Sequence, residues 1–237
     1  DDLYSFIFGK LSQGILTTAL VTVIAYVIAV LLGLLGGLGR VSKNPVIYNL
    51  AALYVQIIRG VPILVQIFYF AFVMTPLIVD FLNWLGGMIN PDGVLANFSN
   101  QDVPMIVRVV IALAFAYGGF EAETFRAGIE SIGRGQMEAA RSLGMSYVQA
   151  MRYVILPQAI RRILPPLGND FVSMLKDSSL VSVLGVRDIT QEARLYMAAS
   201  FIYPPTLNML AFLYLSMTLV LSLVVKWLET RMGKYGH

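Results

Sequence analysis

Apolar residues run along this chain in long blocks, separated by short clusters of charge. Leu11 to Gly39, Gly60 to Val79 and Leu195 to Val225 each contain no charged residue. Each block can supply the ~20 residues that cross a ~30 Å hydrocarbon core. The pattern predicts an all-α membrane protein with about five crossing helices, near Gly14–Gly39, Gly60–Val79, Val103–Arg126, Pro165–Val186 and Thr206–Leu228. The third and fourth are less apolar: one carries Arg108, Glu121, Glu123 and Arg126, the other Asp170, Lys176 and Asp177. Val46 to Ile58 also reads as helix, but at ~13 residues it is too short to cross. Ala127 to Leu164 is a long polar connection, and residues 1–237 form one transmembrane domain.

Composition agrees. Of the 237 residues, 57% are apolar and 13% are charged, against roughly 25% charged in soluble domains. There is no cysteine, and the one histidine is His237, so disulfides, thiolate chemistry and Cys- or His-based metal sites are not expected. The net charge of +3 calls for no nucleic-acid partner. The first apolar block is too long for a signal-peptide core and lacks a basic flank. The chain opens on Asp1-Asp2 without methionine, which leaves a preceding segment open. Trp84 and Trp227 fall near span ends, as interfacial anchors do.

The basic residues are unevenly placed. Arg40, Lys43, Arg134, Arg141, Arg152, Arg161, Arg162, Lys226, Arg231 and Lys234 fall on one side of a five-span arrangement. Asp1, Asp2, Asp80, Asp92, Asp102, Asp188 and Glu192 fall mostly on the other. The positive-inside rule then puts the C-terminus and the 127–164 connection in the cytoplasm and the N-terminus outside. Counting Val46–Ile58 as a sixth span would break this asymmetry.

Within the connection, Gln136 to Leu143 is rich in helix formers, and Gly144 is placed to stop the helix in a left-handed conformation. Ser146 and Gln149 fit a capping box for a second helix, which Pro157 is expected to interrupt. Taken alone, this is either a solvated linker or a helix with a partner outside the membrane.

The order of residues narrows the choice. Glu138-Ala139-Ala140, Gly144 and Leu156-Pro157 resemble the EAA loop of ABC importer permeases. The resemblance extends to Gly14 with Thr17-Thr18, Arg59-Gly60-x-Pro62-x-x-x-Gln66, Ala122-Glu123-x-x-Arg126-Ala127-Gly128-Ile129, Gly135-Gln136, Gln158-Ala159, Pro165-Pro166-Leu167-Gly168-Asn169 and Lys176-Asp177-Ser178-Ser179-Leu180. These cover roughly Gly14 to Gly185 and are similar to the polar amino-acid branch, the histidine-, glutamine- and arginine-type permeases. Asp170, where glutamate is more usual, Ser178, where threonine is usual, and the longer stretch from Leu82 to Asp102 depart from the pattern.

The resemblance implies a type I importer (MetI-like) fold in the bacterial cytoplasmic membrane. It implies that Glu138, Ala139, Ala140, Ser142, Leu143, Gly144 and Met145 form a coupling helix docked on a cytoplasmic ABC ATPase. It also implies a second permease subunit, identical or homologous, and a periplasmic or lipid-anchored amino-acid-binding protein. No G-x-x-x-x-G-K-[S/T] motif occurs in the chain, so no cofactor is expected on it, and ATP and Mg would belong to the ATPase.

Charges within a membrane span are costly and mark function or structural pairing. Asn169, Asp170, Ser173, Lys176 and Asp177 fall on one stripe of the fourth span. In one reading this stripe, with Glu123 and Gln66, lines a substrate path. Asp177 or Glu123 would meet an ammonium group, and Lys176 or Arg59 a carboxylate. In the other, Glu123 pairs with Arg126, or with Lys176, and holds helices in register. Arg59 reads as structural or gating, near the inner face. Gly33 and Gly37 have the G-x-x-x-G spacing of close helix contacts, a spacing also common by chance in apolar runs. A self-sufficient secondary transporter is the rival function, though no internal repeat is visible. An intramembrane enzyme lacks residues to work with.

Overall fold

The computed structural model describes residues 2–233. Asp1, Lys234 and His237 lie outside the described residues. Among the described residues there is no strand. Helix α1 (Asp2–Leu11) passes through a short 3-10 turn into α2 (Ile15–Arg40), and α3 (Pro45–Gly60) follows. Next come α4 (Ile63–Tyr69) and α5 (Thr75–Ile89), joined by a π turn, and then α6 (Met105–Glu130). The polar connection holds α7 (Arg134–Ser142) and α8 (Tyr147–Ala150). The chain ends with α9 (Leu156–Asp177), α10 (Ile189–Ser200) and α11 (Pro204–Gly233). Four helical stretches are long and apolar enough to cross a membrane: Asp2–Arg40, Ile63–Ile89, Met105–Glu130 and Pro204–Arg231. The amphipathic, charged α9 is the fifth long helix.

Helices α2 and α6 form the centre. A methyl group placed on Gly33 would sit 2.3 Å from Cβ of Glu121, and one on Gly37 would sit 2.5 Å from Cβ of Phe125. The two helices therefore touch backbone to backbone, as small residues permit. Both contacts advance in the same direction along the chain, so α2 and α6 are parallel. The chain between them must then cross back once. It does so through α3, α4 and α5: Ala51 packs on Gly39, Ile58 on Gly119, and Arg108 of α6 donates to Ala71 O at 2.8 Å. Helix α9 runs antiparallel to α6, with Ile163 against Gly128 and Asp177 against Tyr117. Helix α11 returns antiparallel to α9, with Val225 against Gly168 and Tyr214 against Asp188 at 3.2 Å. The result is five crossings in alternating directions.

Two expectations need correction. The second crossing is broader than Gly60–Val79. Val46–Ile58 belongs to α3, which begins where Asn44 accepts hydrogen bonds from Val46 N and Ile47 N and Pro45 occupies the first turn. Pro62 breaks the helix rather than starting the crossing, because Val61 and Pro62 are extended. Pro157 also fails to interrupt the chain. A π turn at Met151–Ile155 runs directly into α9, with Pro157 as its second residue, and the wider turn accommodates the missing N–H. Pro165 and Pro166 instead lie inside α9.

The end of the bundle away from the polar connection is closed by α10, which the apolar blocks did not reveal. Asp188 caps it by accepting from Gln191 N at 2.8 Å. Ile189 and Ala193 are buried against Ile7, Leu11 and Leu213.

The parallel pair makes a testable demand. Gly33→Ala forces α2 and α6 apart and is expected to cost about 1–3 kcal/mol, lowering the thermal midpoint of the purified protein. Gly87→Ala, where nothing lies within 4 Å of the added methyl, is expected to leave the midpoint unchanged.

Candidate functional site

Two groups of polar residues stand out from the apolar bundle. The first is the helical turn between α6 and α9. Helix α7 ends in a double hydrogen bond, Gly144 N to Arg141 O at 3.0 Å and Met145 N to Ala140 O at 3.2 Å. Gly144 has φ +86. This is the left-handed termination that the glycine predicted. Ser146 then opens α8 with a reciprocal cap, Gln149 N to Ser146 Oγ at 3.2 Å and Ser146 N to Gln149 Oε1 at 2.8 Å.

The turn presents its residues unequally. Ala140 is buried and Met145 half-buried. Glu138, Ala139, Ser142 and Gly144 are exposed, and Leu143 is 82% exposed. Ser142 Oγ is bonded to Glu138 O of its own helix at 2.9 Å. Glu138 forms no ion pair among the described residues. The turn is held to the bundle from behind: Gln158 donates to Gln136 Oε1 at 3.3 Å, and Arg162 to Ser131 O at 2.6 Å. An exposed Leu143 on a rigidly backed helix is a surface suited to a partner.

The second group lies along α9 at the level of the middle of α6. Tyr117, at the midpoint of α6, donates to Asp177 Oδ2 at 2.7 Å. Lys176 and Asn169 are exposed on the protein surface, with Asp170, Ser173 and Asp177 half-buried. Lys176 forms no ion pair among the described residues. Arg59 is also exposed, and its guanidinium lies 5.8 Å from the centre of the Phe120 ring. That places it at mid-length of α6 and not near an end, a correction to its expected depth. The cause is the break at Pro62, which stops α3 halfway up the bundle.

Two residues assigned to this path are occupied elsewhere. Glu123 pairs with Arg126 and lies 3.8 Å from Arg40. It does not reach Lys176. Gln66 is buried, and its amide donates to Ile58 O and Val61 O, both at 2.7 Å. It seals the carbonyls opened by the Pro62 break and does not face the stripe.

One residue was missed. Glu121 is fully buried where Gly33 lets α2 approach, and neither carboxylate oxygen has a hydrogen-bond partner. Tyr26 and Asp170 are its polar neighbours. Tyr26 itself donates to Leu167 O and stacks on Phe171 at 4.6 Å. The signal available in the sequence was the G-x-x-x-G spacing, read together with a carboxylate two residues before Glu123.

A five-crossing bundle with a polar stripe at mid-depth and a rigid helical turn at one end defines a membrane transport subunit. Residues 25–234 match the family of inner membrane components of binding-protein-dependent transport systems, and the chain belongs to that family. It is 34% identical over 227 residues to a probable glutamine ABC transporter permease protein of Bacillus subtilis, GlnM, covering 96% of this chain and 95% of that one. It is 32% identical to the glutamine transport system permease protein GlnP of Escherichia coli K12, with 94% and 92% covered. The arginine transport system permease protein ArgU of Corynebacterium glutamicum is 33% identical over 99% of this chain and 72% of its own length. Among solved structures, an amino acid ABC transporter crystallised with histidines superimposes with a TM-score of 0.77 at 36% identity, covering 94% of each chain. The MetNI methionine transporter in an inward-facing form shares the fold at 16% identity, with a TM-score of 0.73.

The left-handed Gly144 can be tested on its own. Gly144→Val places a branched side chain at φ +86, at a cost of about 1–2 kcal/mol. Faster hydrogen exchange is expected across residues 134–150, with the spans unaffected. Gly144→Asn is expected to exchange more nearly like the parent.

Proposed function

We propose that this chain is the permease subunit of an ATP-driven importer of polar amino acids, and that the stripe on α9 lines its path. The observation that carries the proposal is the exposure of Lys176 and Asn169 at mid-depth, beside Asp177. A charge facing lipid there is costly, so this face belongs against a second permease subunit around an aqueous path. A polar amino acid brings both an ammonium and a carboxylate. Asp177, oriented by Tyr117, suits the first, and Lys176 the second. The relatives named for glutamine and arginine support a polar amino acid as cargo.

Energy enters at the other polar group. With no P-loop lysine motif in the chain, ATP and Mg belong to a cytoplasmic ABC ATPase. That ATPase receives the exposed face of α7, from Glu138 to Met145, with Leu143 as the apolar contact. A periplasmic or lipid-anchored binding protein delivers the cargo to the opposite end. The chain is oriented with its N-terminus outside and its C-terminus and α7 in the cytoplasm, because Arg134, Arg141, Arg152 and Arg162 cluster at the α7 end.

Reconstitution tests this reading. In proteoliposomes with its ATPase and binding protein, uptake is expected to require ATP. Asp177→Asn is expected to weaken uptake by roughly tenfold or more, the worth of a charged hydrogen bond, with membrane abundance unchanged. Full uptake by this chain without any ATPase would establish the secondary-transporter reading in its place.

A further inference from the structure

At the α7 end of the bundle, a cleft of about 700 Å³ opens between the α2–α3 turn and α7. Lys43, Arg134 and Arg141 line it, with Glu138, Met137 and Tyr147. Three cations against one carboxylate leave the cleft with two net positive charges. None of these four groups forms an ion pair among the described residues. Lys43 rests its ammonium 5.6 Å from the centre of the Tyr147 ring, which holds it at the rim. All three cations are exposed and face one open space, a positive patch suited to an anion.

The cleft is continuous with an apolar one. Lys43 and Tyr147 also line a neighbouring space of about 350 Å³, whose walls include Leu38, Val41 and Met151. Leu38 ends a stripe on α2 formed by Ile28, Leu31 and Leu35, at helical spacings of three and four. The last two are 58% and 68% exposed. Ile28 to Leu38 covers about 15 Å of helix, half the thickness of a ~30 Å hydrocarbon core. The site is thus amphipathic in the manner of a lipid: an apolar track one leaflet deep, leading to a cationic cleft just past the last turn of α2.

We propose that this cleft binds the phosphate headgroup of an anionic phospholipid, with an acyl chain along the α2 stripe. Basic pockets between helices at the membrane surface recognise such headgroups. Leu38, Val41 and Met151 also pack on the core of α6 and α9, so the choice of occupant rests on the exposed Ile28, Leu31 and Leu35: they lead an acyl chain to the cations, which a carboxylate of the ATPase subunit would not use. Because Glu138 and Arg141 line both the cleft and the surface of α7, a bound lipid would brace that helix from the membrane side. The inference rests on the membrane placement of the bundle and not on the cargo.

The test uses the intact permease–ATPase complex in nanodiscs. The chain has no cysteine, so Ser42→Cys, with reactive cysteines of the partners removed, carries a single fluorophore at the cleft. Acyl-brominated phosphatidylglycerol is expected to quench it more strongly than brominated phosphatidylcholine at the same mole fraction. Lys43→Gln with Arg134→Gln is expected to reduce that preference on the order of fivefold per cation removed, while Lys43→Arg keeps it. Equal quenching by the two lipids, or an unchanged preference in the double variant, overturns the proposal. Loss of the preference on adding inorganic phosphate would assign the cleft to a soluble anion. Loss of it only when the ATPase is bound would assign the cleft to that subunit. Either result also overturns the proposal.

Discussion

Backbone contact between α2 and α6 sets the positions of the other helices. Gly33 over Glu121 and Gly37 over Phe125 bring two parallel helices closer than side chains would allow. In a bilayer, where apolar burial between helices brings little advantage over lipid, such contacts are a main source of cohesion. A parallel pair cannot be joined by a short loop. The chain has to return through α3, α4 and α5, and these find their places on the same two helices, through Ala51 on Gly39 and Ile58 on Gly119. Helix α9 then uses the remaining side of α6, where Gly128 admits Ile163.

The second constraint is that backbone polar groups inside the bilayer need partners within the protein. Where α3 ends at Val61–Pro62, Gln66 supplies both donors for Ile58 O and Val61 O. At the start of α6, Arg108 donates to the carbonyls of Val103, Ala71 and Asn100. Thr18 and Thr22 return their hydroxyls to Gly14 O and Thr18 O. Against this economy the stripe of α9 is an exception. Asn169 and Lys176 face outward, and Lys176 forms no ion pair among the described residues, whereas the unpartnered carboxylate of Glu121 is buried between α2 and α6.

What could be read from residues alone follows the range of the forces involved. Local chemistry was legible: the charge-free blocks, the left-handed Gly144 and the Ser146–Gln149 cap each depend on neighbours within four residues. Long-range contacts were not. Gln66 fits a motif near Arg59 and Pro62, yet its role depends on a backbone break whose geometry only the folded chain fixes. Glu123 takes its local partner Arg126, and the packing of α2 adds Arg40 at 3.8 Å, a contact that nothing near Glu123 in sequence marks. Glu121 was passed over because nothing near it in sequence marks the approach of Gly33. The continuity through Pro157 was misjudged because the π turn directly before it, which accommodates the missing N–H, leaves no local mark in the sequence.

The two polar groups are connected through one helix. Helix α9 is anchored at its start to α7 by Gln158 on Gln136, and beside it by Arg162 on Ser131. Its far end meets α6 through Asp177 and Tyr117, about 30 Å away at 1.5 Å per residue. Between these anchors lie Pro165 and Pro166, which remove hydrogen bonds to the carbonyls of Arg161 and Arg162 and make this the most easily bent turn of the helix. Immediately beyond it, Tyr26 holds Leu167 O and stacks on Phe171, tying the next turn to α2. Both halves of α9 pack on the α2–α6 pair, the first through Ala159 and Ile163 and the second through Tyr26 and Tyr117, so the proline pair is where their relative angle can change. Bending at the proline pair changes the angle between the two halves without breaking either anchor. That geometry lets the surface at Leu143 and the stripe at Asp177 move relative to one another while each keeps its own local structure.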